Sequence, residues 1–298
     1  MRVFVTGATG WIGAAVVDQL LGSGHDVVGL ARSDSSADVL ATKGARVLRG
    51  DLDDPDSIKA GAGDADAVMH LANKHDFTDP ARSNRAERSA VATIADALTG
   101  SDRPFLLAAG VVALAQGRAA TEDDVSPFRG ADSVRGGSEN LALDAVARGV
   151  HAVSLRFAPT VHGAGDHGFI ATLVGVARER GVSGYVGEGT NRWPAVHRSD
   201  AARLVVLGLE AQAGAVLHAV AEEGVPSRDI AEAIGRGLGV PAASISPEEA
   251  PRHFGWIGRF FALDLPTSSE RTRAAYGWDP TGPTLLDDLA AGSYFTSS

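Results

Sequence analysis

The stretch TGATGWIG at residues 6–13 decides the fold of this chain. The run before it, residues 2–6, is β-branched and aromatic, which predicts a buried strand. The residues after it, 14–21, have the apolar spacing of a helix, and an apolar run at 26–30 predicts a second strand. A glycine-rich turn that joins a strand to a helix within such a βαβ unit is typical of a dinucleotide-binding site.

Each glycine of this turn has a physical task. Gly7 permits a tight turn off the strand, Gly10 lets the backbone approach a pyrophosphate, and Gly13 lets the helix pack close to the sheet. The N-terminus of the helix then offers its N–H groups and its positive dipole end to the phosphates. We therefore expect the loop to bind a dinucleotide, rather than to be a turn without a ligand. The residues expected to contact it are Gly7, Thr9, Gly10, Trp11, Ile12 and Gly13.

The end of the second predicted strand indicates which dinucleotide binds. An Asp or Glu there binds the 2′-hydroxyl of NAD, but this chain has Ala31-Arg32-Ser33. The Arg32 guanidinium suits the geometry of a phosphate, and the Ser33 hydroxyl can donate a further hydrogen bond. These residues favour NADP over NAD as the cofactor. The alternative is that Arg32 is a solvated surface arginine.

Strands and helices alternate along the first half of the chain. Further strands are predicted at 45–49, 67–71, 104–109 and 151–157, and helices at 35–43, 56–61, 85–98 and 137–148. This alternation predicts βαβ units and an α/β fold with a doubly wound parallel sheet, the Rossmann architecture. We expect the dinucleotide-binding core to span residues 1–160, with return segments near 195–222.

The pattern changes after residue 157. Residues 158–193 are glycine-rich and irregular around a helical pattern at 169–180. A strand is predicted at 215–220 and a helix at 226–238, which Gly239 and Pro241 end. We expect residues 161–298 to form mainly a smaller α/β lobe that binds the substrate and closes over the carboxyl edge of the sheet.

Composition excludes several classes of protein. The chain has 298 residues and a net charge of −10, so attraction to nucleic acid or to an anionic membrane is not expected. It has no cysteine, which removes disulfides, cysteine–zinc sites, iron–sulfur clusters and thiol nucleophiles. No apolar stretch approaches the roughly 20 residues of a membrane span, and the first residues lead straight into the glycine motif without room for a signal peptide. We expect a cytoplasmic protein that acts on a small molecule.

The glycine motif and several later motifs together resemble the short-chain dehydrogenase/reductase superfamily, in its extended branch of epimerases and dehydratases. The later motifs are Gly50-Asp51-Leu52, His70-Leu71-Ala72, Leu155-Arg156-Phe157, Val161-His162-Gly163, Val196-His197-Arg198-Ser199-Asp200-Ala201-Ala202 and Tyr276-Gly277-Trp278-Asp279-Pro280. The resemblance implies cofactor contacts to the adenine from Asp51 and Leu52, to the riboses from Leu71, Ala72 and Asn73, and beside the nicotinamide from Phe157. His162 stands where the family usually has a tyrosine.

The usual proton-transfer residues of that family are absent from this chain. In the family, a Tyr-x-x-x-Lys pair and a Ser or Thr assist hydride transfer, with the tyrosine as general acid or base. The tyrosines here are Tyr185, Tyr276 and Tyr294, and none is followed by a lysine four residues later. The resemblance places Ala131 at the tyrosine position, Arg135 at the lysine position, and Ala108 or Ala109 at the serine position. The chain thus resembles the atypical members.

Two groups of residues are candidates to replace this machinery. Arg135 stays protonated at any useful pH, so it is no general acid, but it can bind the nicotinamide ribose or an anionic substrate; the alternative is a capping or surface arginine. Lys74, His75 and Asp76 follow the fourth predicted strand, at the sheet edge where ligands bind. Lys74 and His75 are the candidate catalytic residues, because a histidine and a buried lysine can titrate near neutrality; the alternative is a solvated loop. Ser133 is a further candidate hydrogen-bond donor.

His162 and Trp193 are the candidate substrate-binding residues, since both fall in the expected substrate lobe. For Trp193 the alternative is a place in the apolar core, and for His197 the expected role is to order the region of Asp200. His162 and His167 lie close in sequence, but a metal site needs further converging ligands, so no metal is expected.

Taken together, these features predict an NADP-dependent oxidoreductase or epimerase-like enzyme with an atypical active site. The alternative is a redox sensor or regulatory protein that binds NADP(H) without catalysis, which the loss of the three proton-transfer residues favours. The resemblance also implies a homodimer built through the helices at 85–98 and 137–148.

Overall fold

The computed structural model describes residues 1–74 and 79–296. Strands and helices alternate through its first half, as the sequence predicts. The strands are β1 (Arg2–Thr6), β2 (Asp26–Ala31), β3 (Arg46–Arg49), β4 (Ala67–His70), β5 (Pro104–Gly110) and β6 (His151–Phe157). The helices are α1 (Trp11–Gly22), α2 (Asp34–Lys43), α3 (Pro55–Gly63), α4 (Pro80–Leu98) and α5 (Ser138–Asp144), and the 3₁₀ turns Val134–Gly137 and Ala145–Arg148 flank α5.

The second half contains shorter elements. Its strands are β7 (Thr160–His162), β8 (Ser183–Val186), β9 (Arg192–His197), β10 (Val216–Ala219), β11 (Glu222–Pro226) and β12 (Ala242–Ile245). Its helices are α6 (Phe169–Arg180), α7 (Arg198–Leu207), α8 (Ser227–Leu238), α9 (Ala250–Phe254), α10 (Gly258–Phe261), α11 (Glu270–Tyr276) and α12 (Leu285–Ala290). Among the described residues, no helix is long and apolar enough to cross a membrane.

One sheet contains strands from both halves of the chain. Its order is β10-β6-β5-β4-β1-β2-β3, and the pairs β1–β2, β2–β3, β1–β4 and β4–β5 are parallel. The chain runs outward from β1 to β3 and then places β4 on the other side of β1, so the strand order reverses between β1 and β4. The predicted doubly wound parallel sheet is confirmed, and this reversal is the point at which such sheets bind ligands.

The apolar residues that predicted the strands form the core next to the reversal of strand order between β1 and β4. Phe4, Val68 and Phe105 lie on the neighbouring strands β1, β4 and β5 and are fully buried. Ile58 of α3 and Ile94 of α4 belong to the same apolar cluster. Burial of side chains of this size contributes roughly 1.5–3 kcal/mol each, so the core holds the carboxyl ends of β1 and β4 in fixed register.

The chain divides into two compact units, each made of separate segments. The first unit contains Met1–Ala109, Val125–Arg156 and Ala202–Leu217, and the second contains Gly110–Asp124, Phe157–Ala201 and His218–Ser298. Residues 110–124 thus belong to the second unit, whereas the sequence analysis placed them in the core. The binding roles assigned to the two parts of the chain stay predictions.

The second unit contains more strands than the sequence predicts. Residues 158–193, expected to be irregular around one helix, include β7, β8 and the start of β9. These strands have three, four and six residues, and they are paired in a β11-β9-β7 sheet and a β12-β8 sheet. Such short strands carry too few residues for an alternating or continuous apolar pattern, which explains why the prediction of an irregular segment was wrong.

The helix predicted at 137–148 is also corrected. The structure has only the seven-residue helix α5 between two 3₁₀ turns. Gly136 and Gly137 have positive φ angles of 62° and 63°, which an α-helix does not accommodate. The glycines therefore delay the start of the α-helix until Ser138.

Candidate functional site

The glycine loop is packed so closely that a side chain does not fit at Gly7 or Gly13. Gly7 has a φ of 69°, and a Cβ atom there would lie 2.7 Å from the backbone N of Ala72. A Cβ at Gly13 would lie 2.0 Å from the carbonyl O of Gly7. These distances show that α1, the loop and the segment after β4 pack backbone against backbone, as the sequence predicts for Gly7 and Gly13.

The first turn of α1 faces this loop. Gly10 is the N-cap residue, and within the described residues no side chain caps the helix and no acidic residue lies in its first turn. Thr9, Trp11 and Ile12 are partly exposed beside it. Backbone N–H groups at an N-terminus of this kind suit a diphosphate, so the loop fits the dinucleotide that the sequence predicts.

The end of β2 carries the residues expected at the adenosine end of the cofactor. Ala31 is buried, and the side chain of Arg32 is 77% exposed, with its Nε atom 3.8 Å from Asp51 Oδ2. The Ser33 hydroxyl is the N-cap of α2 and accepts a hydrogen bond from the Ser36 N–H at 3.1 Å. Leu52 is buried next to Asp51. Arg32, Ser33 and Asp51 thus lie together at one sheet edge.

Arg49 is a residue of this edge that the sequence analysis missed. It is the last residue of β3 and pairs in register with Ala31. Its Nη2 atom lies 3.0 Å from Asp34 Oδ1 and 3.5 Å from the carbonyl O of Arg32. Arg49 could have been found from its place at the end of the third predicted strand, because neighbouring parallel strands end at the same edge of a sheet.

The ends of β1 and β4 are tied together by polar side chains. Thr6 and His70 pair in register, and Thr6 Oγ1 lies 2.9 Å from Nδ1 of the fully buried His70. Thr6 Oγ1 also accepts a hydrogen bond from the N–H of Ala72 at 3.3 Å. These contacts place the partly exposed residues Leu71, Ala72 and Asn73 against the glycine loop.

A buried carboxylate lies behind this edge. Glu87 of α4 is 1% exposed and accepts hydrogen bonds from Arg135 Nη2 at 2.5 Å and from Asn73 Nδ2 at 3.2 Å. His70 Nε2 lies 3.7 Å from Glu87 Oε2, the oxygen that accepts the hydrogen bond from Asn73. We call Glu87, Arg135, Asn73 and His70 the Glu87 cluster. The sequence analysis assigned Asn73 and Arg135 to the cofactor but missed Glu87, since nothing along the chain connects a glutamate in the middle of a helix with them.

Electrostatics keep Glu87 ionised. Its burial raises the pKa, but the positive charge of Arg135 and the neighbouring His70 outweigh burial and lower the pKa from 4.5 to about 2. The cluster therefore contains a fixed negative charge that faces the guanidinium of Arg135.

The positions that the family resemblance assigns to tyrosine and lysine lie in the loop before α5. Ala131 is exposed, and the Ser133 hydroxyl donates a hydrogen bond to the Gly130 carbonyl at 2.7 Å. Arg135 has a φ of 52°, a left-handed conformation that costs a non-glycine residue roughly 1–2 kcal/mol. Arg88 Nη1 donates to the Gly136 carbonyl at 2.6 Å and so helps to hold this turn.

Lys74, the first candidate catalytic residue, is held by carboxylates of the first unit. Its Nζ atom lies 2.5 Å from Asp53 Oδ2 and 3.8 Å from Asp51 Oδ1. Lys74 holds the pKa of Asp53 below its usual range. The structure thus brings Lys74 and Asp51 together, while His75 and Asp76 lie outside the described residues. The catalytic role of Lys74 and His75 stays a prediction.

The candidate substrate residues lie in the second unit. His162 is fully buried, with Nδ1 2.7 Å from Asp288 Oδ2 and Nε2 3.9 Å from Glu222 Oε2. Burial lowers the pKa of His162, although the hydrogen bond and the negative charge of Asp288 oppose the shift. His197 Nδ1 lies 2.7 Å from the hydroxyl of Ser199, the residue that directly precedes Asp200.

Trp193 lies in the core of the second unit. Its side chain is fully buried, and its ring centroid lies 5.7 Å from Phe169, 5.5 Å from Phe260 and 5.1 Å from Phe261. Of the two environments considered for Trp193, the structure thus shows the apolar core. Its contact with a substrate, like that of His162, stays a prediction. Phe157, at the end of β6, is also buried.

Metal ligands do not converge in the part of the chain that the structure describes. No group of three or more His, Asp or Glu side chains among residues 1–74 and 79–296 has the arrangement of a metal site.

Comparison with known proteins gives consistent matches over the whole chain. The family model for the NAD dependent epimerase/dehydratase family matches residues 3–221. An uncharacterized protein of Schizosaccharomyces pombe is 44% identical over 99% of this chain and 100% of its own length. The 3-diazoavenalumate denitrifying reductase of a Streptomyces species is 29% identical over 97% of this chain and 99% of its own length.

A solved structure shows the same arrangement of elements. The structure of MoeE5 in complex with UDP-glucose and NAD is 25% identical to this chain, with a TM-score of 0.75. The match covers 98% of this chain and 97% of that one. Together with the match to the family model and the 44% identical relative, this establishes the family. The chain belongs to the NAD dependent epimerase/dehydratase family.

Proposed function

We propose that this protein is an NADP-dependent oxidoreductase, or an epimerase-like enzyme, that acts on a small molecule without the Tyr-x-x-x-Lys pair. The observation that carries the proposal is the glycine loop. Its backbone packs so closely against α1 and the segment after β4 that only glycine fits at Gly7 and Gly13. A loop of this geometry at the strand-order reversal is suited to the diphosphate of a dinucleotide.

The adenosine end of the site supports NADP over NAD. Arg32 and Arg49 place two guanidinium groups at the ends of β2 and β3, beside the Ser33 hydroxyl. Guanidinium groups bind phosphate through paired hydrogen bonds, and no acidic residue directly follows β2 at position 32 to bind a 2′-hydroxyl. MoeE5 was solved with NAD, so the preference of this chain for the phosphorylated cofactor is a specific and testable difference.

The residues at the expected nicotinamide end of the site are better suited to binding and orienting a ligand than to transferring a proton. A bound nicotinamide supplies or takes up a hydride. Arg135 can bind and orient, but its guanidinium does not exchange a proton at useful pH. A proton for a substrate oxygen would come from Lys74, from His75, from an ordered water or from the substrate itself. Because the full-length Streptomyces relative is a reductase, we place reduction ahead of epimerisation.

Two measurements test the proposal. Calorimetric titration of the purified chain with NADP⁺, NADPH, NAD⁺ and NADH should show binding, with the phosphorylated forms tighter. NADPH absorbance should then fall when carbonyl, enone or nucleotide-sugar substrates are added. Absence of binding by both forms of NADP contradicts the proposal.

The redox-sensor alternative is favoured by one observation, namely the replacement of the three proton-transfer residues by Ala131, Arg135 and Ala108 or Ala109. A sensor would bind NADP⁺ and NADPH with different affinities and would turn over no member of the substrate panel. The same titrations and assays therefore distinguish a sensor from an enzyme.

A further inference from the structure

Glu87 is a buried charge that the proposed function does not yet use. A carboxylate at 1% exposure costs free energy unless it is paired, and an apolar side chain of similar size would stabilise a helix–sheet interface at least as well. Glu87 instead accepts hydrogen bonds from Arg135 and Asn73. These are the two residues of the cluster that the sequence assigns to the cofactor.

The backbone at Arg135 points to a function for its side chain. Arg135, Gly136 and Gly137 have φ angles of 52°, 62° and 63°, so three successive residues are left-handed. Glycine adopts this conformation without strain, whereas an arginine there has a conformational cost. The chain has glycine at two of the three positions and keeps arginine at the first. Strain of this kind that persists next to a candidate site indicates that the side chain is needed.

The topology assigns the Glu87 cluster to one half of the dinucleotide. Arg32 and Arg49 lie at the ends of β2 and β3, which places the adenosine half on that side of β1. A dinucleotide crosses the sheet edge at the strand-order reversal, so its nicotinamide half lies beyond β4. Asn73 is the third residue after the end of β4, and Glu87 links Asn73 to Arg135.

We propose that Glu87 is a positioning residue that fixes Arg135 and Asn73 on the nicotinamide half of the cofactor. The inference rests on the proposed function. It adds that Glu87 holds Arg135, the residue at the position of the absent lysine, in place for the cofactor. The side chain of Arg135 is 27% exposed, so it is anchored at Glu87 and still reaches solvent. A guanidinium has five N–H donors, and those that Glu87 does not engage are available to ribose hydroxyls or phosphate oxygens.

The charge of the cluster supports this role. Arg135 and His70 together outweigh the effect of burial on Glu87 and keep the pKa of the carboxyl at about 2, so Glu87 is ionised throughout the physiological range. Arg135 therefore has one fixed direction and one fixed charge, as a ribose-binding group requires.

The test compares a whole cofactor with a fragment of it. We would measure the Kd of NADPH and of adenosine 2′,5′-bisphosphate, which lacks the nicotinamide half, for the full chain and for Glu87→Gln. We expect Glu87→Gln to weaken NADPH binding by about tenfold and to leave the fragment unchanged. Asp96→Asn is the matched control, because Asp96 lies on the same helix α4 and loses the same charge. Within residues 1–74 and 79–296, its carboxylate pairs only with the exposed Arg148.

A double-mutant cycle shows whether Glu87 acts through Arg135. In an Arg135→Asn background, which keeps a residue that tolerates left-handed φ, Glu87→Gln should cause a smaller loss of NADPH affinity than in the unchanged chain, because only its link to Asn73 remains. If Glu87→Gln does not fold, Arg135→Lys takes its place. It keeps the ion pair but loses the planar fork, and should weaken NADPH while leaving the fragment unchanged.

The outcomes separate this inference from the proposed function. An equal loss for NADPH and the fragment, or no loss for either, overturns the positioning role of Glu87 while the binding of NADPH by the unchanged chain still supports the proposed function. If the unchanged chain binds neither ligand, the proposed function and this inference are both overturned.

Discussion

Gly13 is the residue whose replacement should disturb the cofactor site most directly. A Cβ at Gly13 would lie 2.0 Å from the carbonyl O of Gly7, so Gly13→Ala must displace α1 from the loop. We expect NADPH affinity to fall by more than about tenfold, because the N–H groups that we propose bind the diphosphate move with the helix. Gly22→Ala, at the other end of α1, is the control, since a Cβ there meets nothing within 4 Å. Equal NADPH affinity in the two variants, measured by calorimetry, would contradict this reading.

Arg32 should determine the choice between the two dinucleotides. Its guanidinium lies at the end of β2 and is largely exposed, where a 2′-phosphate can reach it. Since hydrogen bonds to charged groups contribute roughly 1.5–3 kcal/mol, Arg32→Gln should weaken NADPH binding by about 10- to 100-fold. Binding of NADH should change little. Arg46→Gln is the control, because Arg46 lies on the neighbouring β3 and pairs with Asp26. Parallel losses for NADPH and NADH would argue against a phosphate contact at Arg32.

Individual residues of the candidate site could be predicted where a local sequence pattern indicates their role. The glycine motif located Gly7 and Gly13, and the residue after the second strand located Arg32. Glu87 and Arg49 were missed because their relevance comes from contacts between distant segments. Glu87 lies 48 residues from Arg135, and Arg49 enters the site only through the register of β3 with β2.

The ion pair between Glu87 of α4 and Arg135 in the turn before α5 should make the free energy of unfolding depend on pH. The pKa of Glu87 is about 2 in the folded chain and near 4.5 when the chain is unfolded. The stabilisation is therefore complete above pH 4.5 and is lost as the pH falls through about 2. For a group as buried as Glu87 it amounts to something on the order of 3 kcal/mol. Urea unfolding of the unchanged chain and of Glu87→Gln at a series of pH values measures it.

The difference in unfolding free energy between those two proteins should shrink as the pH falls below 4.5. Asp53→Asn is the comparison for an exposed carboxylate. Lys74 holds the pKa of Asp53 below its usual range, but the Asp53 side chain is 43% exposed, so solvent screens the pair and little change is expected. A difference between the unchanged chain and Glu87→Gln that stays constant with pH would show that Arg135 does not stabilise the ionised form of Glu87.

Among the secondary-structure elements, the strands that are buried in the sheet were predicted correctly, because burial gives them a continuous apolar sequence. β1, β2, β4, β5 and β6 are apolar runs in the middle of one sheet, and their positions match the predicted strands closely. The short strands β7 and β8 are defined by pairing with distant β9 and β12, which no local pattern reveals. The helix predicted at 137–148 is shorter in the structure, because Gly137 is left-handed and residues Ala145–Arg148 form a 3₁₀ turn instead of continuing the α-helix.

The division of the molecule into two units shows the same limit at the largest scale. Residues 111–124 directly follow β5, and their place in the sequence predicts that they belong to the first unit. In the structure, the backbone N–H and the hydroxyl of Thr272 both donate hydrogen bonds to Glu122, 150 residues away in the chain. Ala120 forms a bridge with Thr267 close by. Contacts at such separations decide which unit a segment joins, and a single sequence does not contain them.

The last residues of the chain should contribute to the stability of the second unit. The Tyr294 hydroxyl donates a hydrogen bond to Asp166 Oδ2 at 3.0 Å and accepts one from the Gly163 N–H at 3.2 Å. Tyr294→Phe removes both bonds and leaves their partners partly buried, so we expect a loss of about 1–3 kcal/mol in unfolding free energy. Tyr276→Phe is the matched control, because the Tyr276 hydroxyl makes no hydrogen bond to any residue that the structure describes. Equal unfolding free energies for the two variants in urea would mean that the C-terminal segment adds nothing to the fold through Tyr294.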